Sequence, residues 1–201
     1  QCLGAVPVPV YQDAAADEMA FVIDHAEARL AVAEDQEQVD KLLGIRDRCP
    51  RLTTIVYKDP RGMRHYAEPG LVSLAELEQR GRDLEKTDPA FLDAEIAEGK
   101  GSDVSVMAYT SGTTGQPKGV MLSYDNVIIS ARNAIAFDKL TESDEILAYL
   151  PMAWVGDHIF SYAQCYVAGF CVSCPESGAT VLNDLREIGP SFFFAPPRIF
   201  E

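Results

Sequence analysis

The sequence predicts an α/β fold of three layers, in which helices cover largely parallel sheets in two adjoining lobes. Short apolar runs rich in Val and Ile alternate with amphipathic helical patterns, and clusters of Gly, Pro and Asp separate them. With 47% hydrophobic residues among 201, the chain is long enough to bury one large core or two small ones.

The first lobe is predicted over residues 1–103. Its first half alternates in the order strand 3–10, helix 17–24, strand 29–33, helix from residue 36, strand 53–57. Asp35 and Gln38 resemble a capping box for the second helix. After a turn at 59–62, Ser73 opens a polar helix, and Asp88 precedes another that stops at Gly99. The acidic stretch 85–100 is expected at the surface.

The second lobe is predicted over residues 104–201. It restarts the alternation with strand 104–109, a Gly-rich loop, strand 119–122 and a helix over 124–137 that Ser123 caps. The remaining elements are predicted as strand 145–150, a helix from Val155 to Gly169, strand 170–174, helix 180–188 and strand 191–195.

Charge and cysteine content limit the classes of partner and compartment. Seventeen Lys and Arg against 31 Asp and Glu give a net charge of −14, which repels nucleic acid. The five cysteines, an odd number in a chain of this size, favour free thiols and therefore the cytoplasm. Neither a secretory leader nor an apolar run of about 18 residues is found, which leaves only peripheral membrane contact open. Both ends read as cut from a longer chain.

The loop at residues 110–119 has the composition of a phosphate-binding site. Gly112, Gly115 and Gly119 allow close approach of backbone N–H groups to an anion, and Lys118 adds a positive charge. Four hydroxyls accompany them, on Thr110, Ser111, Thr113 and Thr114. The pattern is neither a Walker loop nor a Rossmann fingerprint. A plain surface loop is the alternative, since Ser, Thr and Gly are common in loops.

Residues 109–119 resemble the phosphate-binding motif of the adenylate-forming (AMP-binding) superfamily. Three further segments agree with that family in the same order, residues 3–10, 150–158 and 190–201. The sequences of these segments are most similar to those of bacterial long-chain fatty acyl-CoA synthetases. The chain is thus expected to be part of the large N-terminal domain of such an enzyme, with the C-terminal half of the parent absent.

The resemblance implies a two-step acid–CoA ligase that uses ATP, Mg²⁺ and CoA. A long-chain fatty acid would become an acyl-adenylate and then an acyl-CoA, and the 201-residue piece alone would be inactive. Catalysis would rest on Lys118 and Thr113. The same resemblance places around the nucleotide phosphates Thr110, Ser111, Gly112, Thr113, Thr114, Gly115 and Lys118. It places Trp154 at the mouth of the acyl pocket.

Several features leave alternatives open. The same chemistry could act on an aryl or amino acid, and a non-catalytic nucleotide-binding or interaction module is also compatible with the chain. Relatives often have a histidine where Tyr124 stands, so Tyr124 receives no role. His158, beside Asp157, is a candidate for contact with the substrate or with a residue that touches the substrate, whereas His25 and His65 are expected at the surface. Aromatic residues in 160–166 and 192–194 are candidates for an alkyl tunnel or for core.

The sequence Cys171-Val-Ser-Cys174 could be a redox pair or half of a zinc site. It lies in an apolar strand pattern without a second pair, so packing in the core is the favoured interpretation.

Overall fold

The computed structural model describes residues 1–110 and 117–196. The chain divides into two compact units. One consists of Gln1–Gly99 with Tyr109–Gly119, and the other of Lys100–Ala108 with Val120–Glu201. Segment 109–119 therefore belongs to the first unit, although the sequence on both sides of it belongs to the second. The predicted lobe boundary between residues 103 and 104 stays a prediction.

A three-stranded parallel sheet forms the centre of the first unit. Its strands are β1 (Leu30–Ala33), β2 (Thr54–Tyr57) and β3 (Leu71–Ser73), in that spatial order. Parallel neighbours cannot be joined by a tight hairpin, so longer connections that can hold helices must lie between them. The predicted order of helix, strand, helix and strand over residues 17–57 is confirmed, whereas β3 is not predicted from the sequence.

Two helices bury their apolar faces in the core of the first unit. They are α1 (Ala16–His25) and α2 (Gln36–Ile45). Helix α2 begins where Asp35 Oδ1 accepts a hydrogen bond from the backbone N–H of Gln38 at 3.1 Å, as the capping pattern predicts. The core comprises Met19, Ala20, Ile23, Ala33, Val39, Leu42, Ile45, Cys49, Leu52, Ile55 and Met63.

Two further helices of the first unit lie at the surface. They are α3 (Leu74–Thr87), capped by Ser73, and α4 (Phe91–Glu98), which ends at Gly99. Both fall wholly within the described residues and neither has a buried residue. The polar, acidic composition of this stretch predicts that result, because such side chains gain nothing from leaving water.

Two strands, which lie mostly in the second unit, carry the chain into and out of segment 109–119. Strands β4 (Val104–Thr110) and β5 (Lys118–Ser123) pair in a two-stranded sheet. Helix α5 (Tyr124–Asp138) follows β5 directly. A full capping box fixes its start, since Ser123 and Asn126 each accept a hydrogen bond from the other's backbone N–H at 3.1 Å.

The rest of the second unit is a parallel strand pair joined by a helical segment. Strands β6 (Glu145–Leu147) and β7 (Cys171–Ser173) are parallel. Between them run α6 (Val155–Asp157), a π-helical stretch and α7 (Gln164–Ala168), and α8 (Val181–Ile188) follows β7. Two small cores form, one around Val127, Ala131 and Ala163 and one around Leu140, Ile146 and Phe170. The predicted α/β class with largely parallel sheets is confirmed.

Two predicted strands are wrong. Residues 3–10 form no strand, since Pro7 and Pro9 have no N–H to donate to a ladder and residues 1–6 are exposed. Residues 191–195 also form no strand, and a single bridge joins Phe192 to Ile146 of β6. Within the described ranges, no helix combines the length and apolar character needed to cross a bilayer.

Candidate functional site

The predicted phosphate loop leaves one strand and enters the next. Strand β4, with Ser105, Val106 and Ala108 buried, brings the chain to Thr110, and β5 resumes at Lys118. The predicted phosphate ligands between these strands lie outside the described residues, namely Ser111, Gly112, Thr113, Thr114 and Gly115. Their roles stay predictions, and the structure describes the two ends that hold them.

Lys118 and Thr110 stand at the two ends of this loop, and both are exposed. Within the described part of the chain, the Lys118 ammonium makes no ion pair or hydrogen bond. Eight ion pairs elsewhere in that part engage other Lys and Arg side chains, Lys41 and Arg51 among them. An unpaired cation in a chain of net charge −14 is suited to an anionic ligand.

Tyr109, just before the loop, is tied to helix α1. Its hydroxyl lies 2.6 Å from His25 Nδ1, and the two rings meet edge to face with centroids 5.8 Å apart. Burial raises the pKa of Tyr109, so its hydroxyl stays protonated near neutral pH. His25 is exposed, as predicted, but the sequence gives no sign of a partner 84 residues away.

The segment that carries Trp154 and His158 changes its winding within three turns. The α-helical turn α6 passes into a π-helix at His158–Ala163 and returns to α-helix in α7. Gly169, with φ of 81°, ends it in a left-handed conformation that glycine adopts readily. Single π turns inside helices are frequent at functional sites, because the wider turn redirects side chains.

His158 is buried, with 2% of its surface exposed. Its Nε2 lies 2.6 Å from the Met152 carbonyl oxygen, and its Nδ1 lies 2.7 Å from the Tyr162 hydroxyl. A carbonyl oxygen only accepts, so Nε2 carries a hydrogen and a neutral ring accepts the Tyr162 hydrogen at Nδ1. Both nitrogens are therefore engaged, and this geometry favours shaping of the segment over direct hydrogen bonding to a substrate. The predicted substrate contact stays a prediction.

A buried polar row on this segment is absent from the sequence predictions. Asp157 accepts a hydrogen bond from Ser161 Oγ at 2.9 Å, and both residues are buried with His158. Gln164, three residues further, is fully buried and its side-chain amide has no partner among the described residues. Polar residues at positions 157, 161 and 164 of an otherwise apolar helix are the signal that could have revealed this row.

Aromatic rings collect beside the same segment. Phe194 stacks on Phe160 with centroids 4.1 Å apart, and Trp154 lies 5.9 Å from Phe194. The three side chains are half-buried. Phe160 and Phe194 belong to the predicted tunnel set, and Phe194 also lies beside Trp154, the predicted pocket residue. The other members separate, since Tyr166 is 79% exposed and Phe192 packs in the core around Ile146.

Asp144 fastens the chain that leads to Phe194. Its Oδ1 accepts a hydrogen bond from Ser191 Oγ at 2.7 Å, and its Oδ2 accepts one from the backbone N–H of Thr141 at 2.6 Å. The Ser191 hydroxyl foremost, then the Thr141 N–H, holds the pKa of Asp144 below its ordinary value of 3.8. The ionised carboxylate is thus the form that the fold prefers.

Asp144→Asn is expected to lower stability at neutral pH and to matter less in acid. A depressed folded pKa stabilises the fold above the unfolded value of 3.8, and that contribution is lost as pH falls through the folded pKa. Urea unfolding midpoints at about pH 7 and about pH 3 measure it. Asp93→Asn, at an exposed position of α4, is the control. An equal difference between variant and wild type at both pH values would contradict the assignment.

The cysteine pair lies elsewhere than predicted. Cys171 and Cys174 are exposed free thiols rather than core residues, so the packing interpretation is wrong. The reason is that β7 is short and has only β6 beside it among the described strands. Over the described residues, no group of three or more His, Cys, Asp or Glu side chains is arranged to hold a metal ion.

Comparison with known proteins gives one family. The model of the AMP-binding enzyme family matches residues 2–201. A long-chain-fatty-acid–CoA ligase of Xenopus laevis, ACSBG2, is 31% identical over 98% of this chain and 27% of its own length. FadD15 of Mycobacterium bovis, also a long-chain-fatty-acid–CoA ligase, is 28% identical over 99% of this chain and 32% of its own length. The chain thus spans less than a third of either relative.

Solved structures agree on the fold. The anthranilate CoA ligase AuaEII, in complex with anthranoyl-AMP, superposes with a TM-score of 0.72 at 20% identity, over 96% of this chain and 36% of that one. VinN, in complex with L-aspartate, gives 0.63 at 21% identity, over 94% and 42%. A parallel α/β architecture, an exposed lysine where the Gly-rich loop ends and a family match along nearly the whole sequence agree. The chain belongs to the AMP-binding enzyme family.

Proposed function

We propose that the complete gene product containing this chain is an ATP-dependent, AMP-forming acid–CoA ligase that activates a long-chain fatty acid. The carboxylate oxygen attacks the α-phosphorus of Mg-ATP, an acyl-adenylate forms and pyrophosphate leaves. The CoA thiol then attacks the acyl carbon and AMP leaves. The observation that carries the proposal is the Gly-rich sequence of segment 109–119, which begins in the last residues of β4 and ends in the first residues of β5, in a chain that the AMP-binding family matches over residues 2–201.

The loop supplies binding and charge stabilisation rather than covalent chemistry. Backbone N–H groups of Gly112 and Gly115 and the hydroxyls of 110–114 would surround the β- and γ-phosphates of ATP. Lys118 and Thr113 would stabilise the negative charge that develops as pyrophosphate leaves. Fixed donors act most strongly where they need not reorganise during the reaction. Lys118 is exposed and its ammonium has no ion pair with a described residue, which supports this assignment.

The acyl group would lie against aromatic rings. Trp154, Phe160 and Phe194 offer half-buried apolar surface, and His158 holds the neighbouring backbone through the Met152 carbonyl. Apolar walls suit an alkyl chain, since each buried methylene contributes about 0.8 kcal/mol. The relatives' names favour a long-chain fatty acid. The stacked Phe160–Phe194 pair would also suit an aromatic acid, which makes an aryl–CoA ligase the second candidate.

Pyrophosphate–ATP exchange with a panel of acids tests the proposal. Exchange by the complete gene product is expected with palmitate and similar acids, and not with benzoate, anthranilate or amino acids. Exchange with one of the latter groups instead would replace the substrate class and keep the chemistry. No exchange with any carboxylic acid would overturn the proposal in favour of a non-catalytic role.

The five free cysteines support a cytoplasmic location, which cell fractionation followed by antibody detection checks.

A further inference from the structure

The contact between His25 and Tyr109 joins helix α1 to the end of strand β4, just before the phosphate loop. Tyr109 is the penultimate residue of β4, and Thr110, the first residue of the predicted phosphate loop, follows it directly. The hydroxyl-to-Nδ1 distance of 2.6 Å is short for a neutral pair, and the rings meet at an interplanar angle of 84°. Movement of one ring must therefore disturb the other.

His25 is the last residue of helix α1, and the packing of this helix restricts the position of the His25 backbone. Met19, Ala20, Val22 and Ile23 of this helix are buried, which leaves the helix little freedom to rotate. The His25 ring also stacks on Phe21, one turn earlier, with centroids 5.3 Å apart at 21°. Phe21 on one side and Tyr109 on the other thus hold the imidazole in one orientation.

We propose that His25 is a positioning residue for the phosphate loop, which it holds through the Tyr109 hydroxyl. The inference rests on the proposed function and deepens it. Segment 109–119 belongs with the first unit, whereas the chain on both sides belongs to the second. Among its described residues, 109, 110 and 117–119, Tyr109 alone has a side-chain hydrogen bond to a residue outside the segment. Beside the pairing of β4 with β5, the His25 contact is therefore the described side-chain link that holds the start of the loop.

The consequence is a specific effect on nucleotide binding. A loop whose start can shift presents its amides to ATP in several arrangements, and the free energy of ordering it is then lost from binding. His25 touches no reacting group in this account, so the chemical step itself should change little. A contact that serves only the fold would lower thermal stability without that selectivity.

Steady-state kinetics of exchange by the complete gene product tests this link. His25→Ala and Tyr109→Phe are each expected to raise KM for ATP about three- to tenfold, the range that one hydrogen bond gives. We expect kcat within about twofold of wild type and an unchanged KM for the acid. The double variant should be no worse than His25→Ala alone, because the Tyr109 hydroxyl has already lost its partner when the imidazole is removed. His25→Asn, whose Oδ1 can replace Nδ1 as acceptor, should restore part of the loss.

His65→Ala is the matched control, since His65 is exposed in the same unit and makes no hydrogen bond within the described part of the chain. It should leave both KM values unchanged. Lower melting temperatures of His25→Ala and Tyr109→Phe with an unchanged KM for ATP would overturn the inference. Additive effects in the double variant would do the same. A wild-type protein without acid-dependent exchange would instead overturn the proposed function, and this inference with it.

Discussion

Lys118→Ala in the complete gene product is expected to slow pyrophosphate–ATP exchange about a hundredfold, the scale for removing one preorganised charge-stabilising group. Lys118 is the first residue of β5, so its backbone is fixed by pairing with β4 while its side chain is exposed. Its ammonium has no carboxylate partner among the described residues, and its removal should cost the fold little. The loss should appear mainly in the chemical step, with a smaller rise in KM for ATP.

Two variants show whether charge or mere bulk matters at this position. Lys58→Ala removes an exposed lysine whose pair with Glu34, at 4.0 Å, is weak, and it should leave exchange unchanged. Lys118→Arg keeps the positive charge but places it on a planar guanidinium group, and it should exchange faster than Lys118→Ala but more slowly than wild type. Equal exchange rates for Lys118→Ala and wild type would remove this residue from the mechanism.

Gly70→Ala is expected to destabilise the first unit by about 2–4 kcal/mol, because it adds backbone strain to a clash. Gly70 has φ of +78°, where L-residues are strained, and an added Cβ would overlap the backbone carbonyl oxygen of Thr53. The Gly70 carbonyl accepts the Ile55 N–H at 2.9 Å where β3 meets β2, so the two strands cannot separate without losing that bond. Urea unfolding, followed at several wavelengths, measures the loss.

Gly62→Ala is the matched control in the same unit. Its φ of +80° gives the same backbone strain, but the added Cβ meets the end of the Gln36 side chain, which can move away. Its cost should therefore be about 1–2 kcal/mol, from the backbone strain and a weakened hydrogen bond between Gln36 Nε2 and the Tyr66 hydroxyl. Equal losses for the two variants would show that the approach of Gly70 to β2 is not the cause.

Local patterns in the sequence predicted most of the fold. Asp35 and Ser123 cap the helices that follow them because a short polar side chain reaches the free N–H groups of the first turn. Such signals lie within four residues, so the sequence displays them. The strand predicted at 3–10 is wrong because Pro7 and Pro9 have no backbone N–H to donate to a neighbouring strand, although the residues around them are apolar.

Contacts between distant residues explain what the sequence could not reveal. The His25–Tyr109 link spans 84 residues, and no periodicity encodes such a contact. His158 is a candidate for substrate contact because it lies beside Asp157 near the predicted acyl pocket. The structure buries its ring between Met152 and Tyr162, at the start of the π-helical stretch, and the sequence does not reveal these two partners. The exposure of Cys171 likewise follows from how many strands pair with β7, which composition does not show.

Transfer of oxygen-18 tests most directly the claim that this chain belongs to a ligase that forms acyl-adenylates. The complete gene product would be incubated with Mg-ATP, CoA and palmitate labelled in both carboxylate oxygens, and the nucleotide product analysed by mass spectrometry. Attack of the carboxylate on the α-phosphorus predicts AMP that carries one labelled oxygen, since the bond that CoA later breaks is the acyl carbon–oxygen bond. Labelled inorganic phosphate with unlabelled ADP would contradict the account, because it would mean attack at the γ-phosphorus.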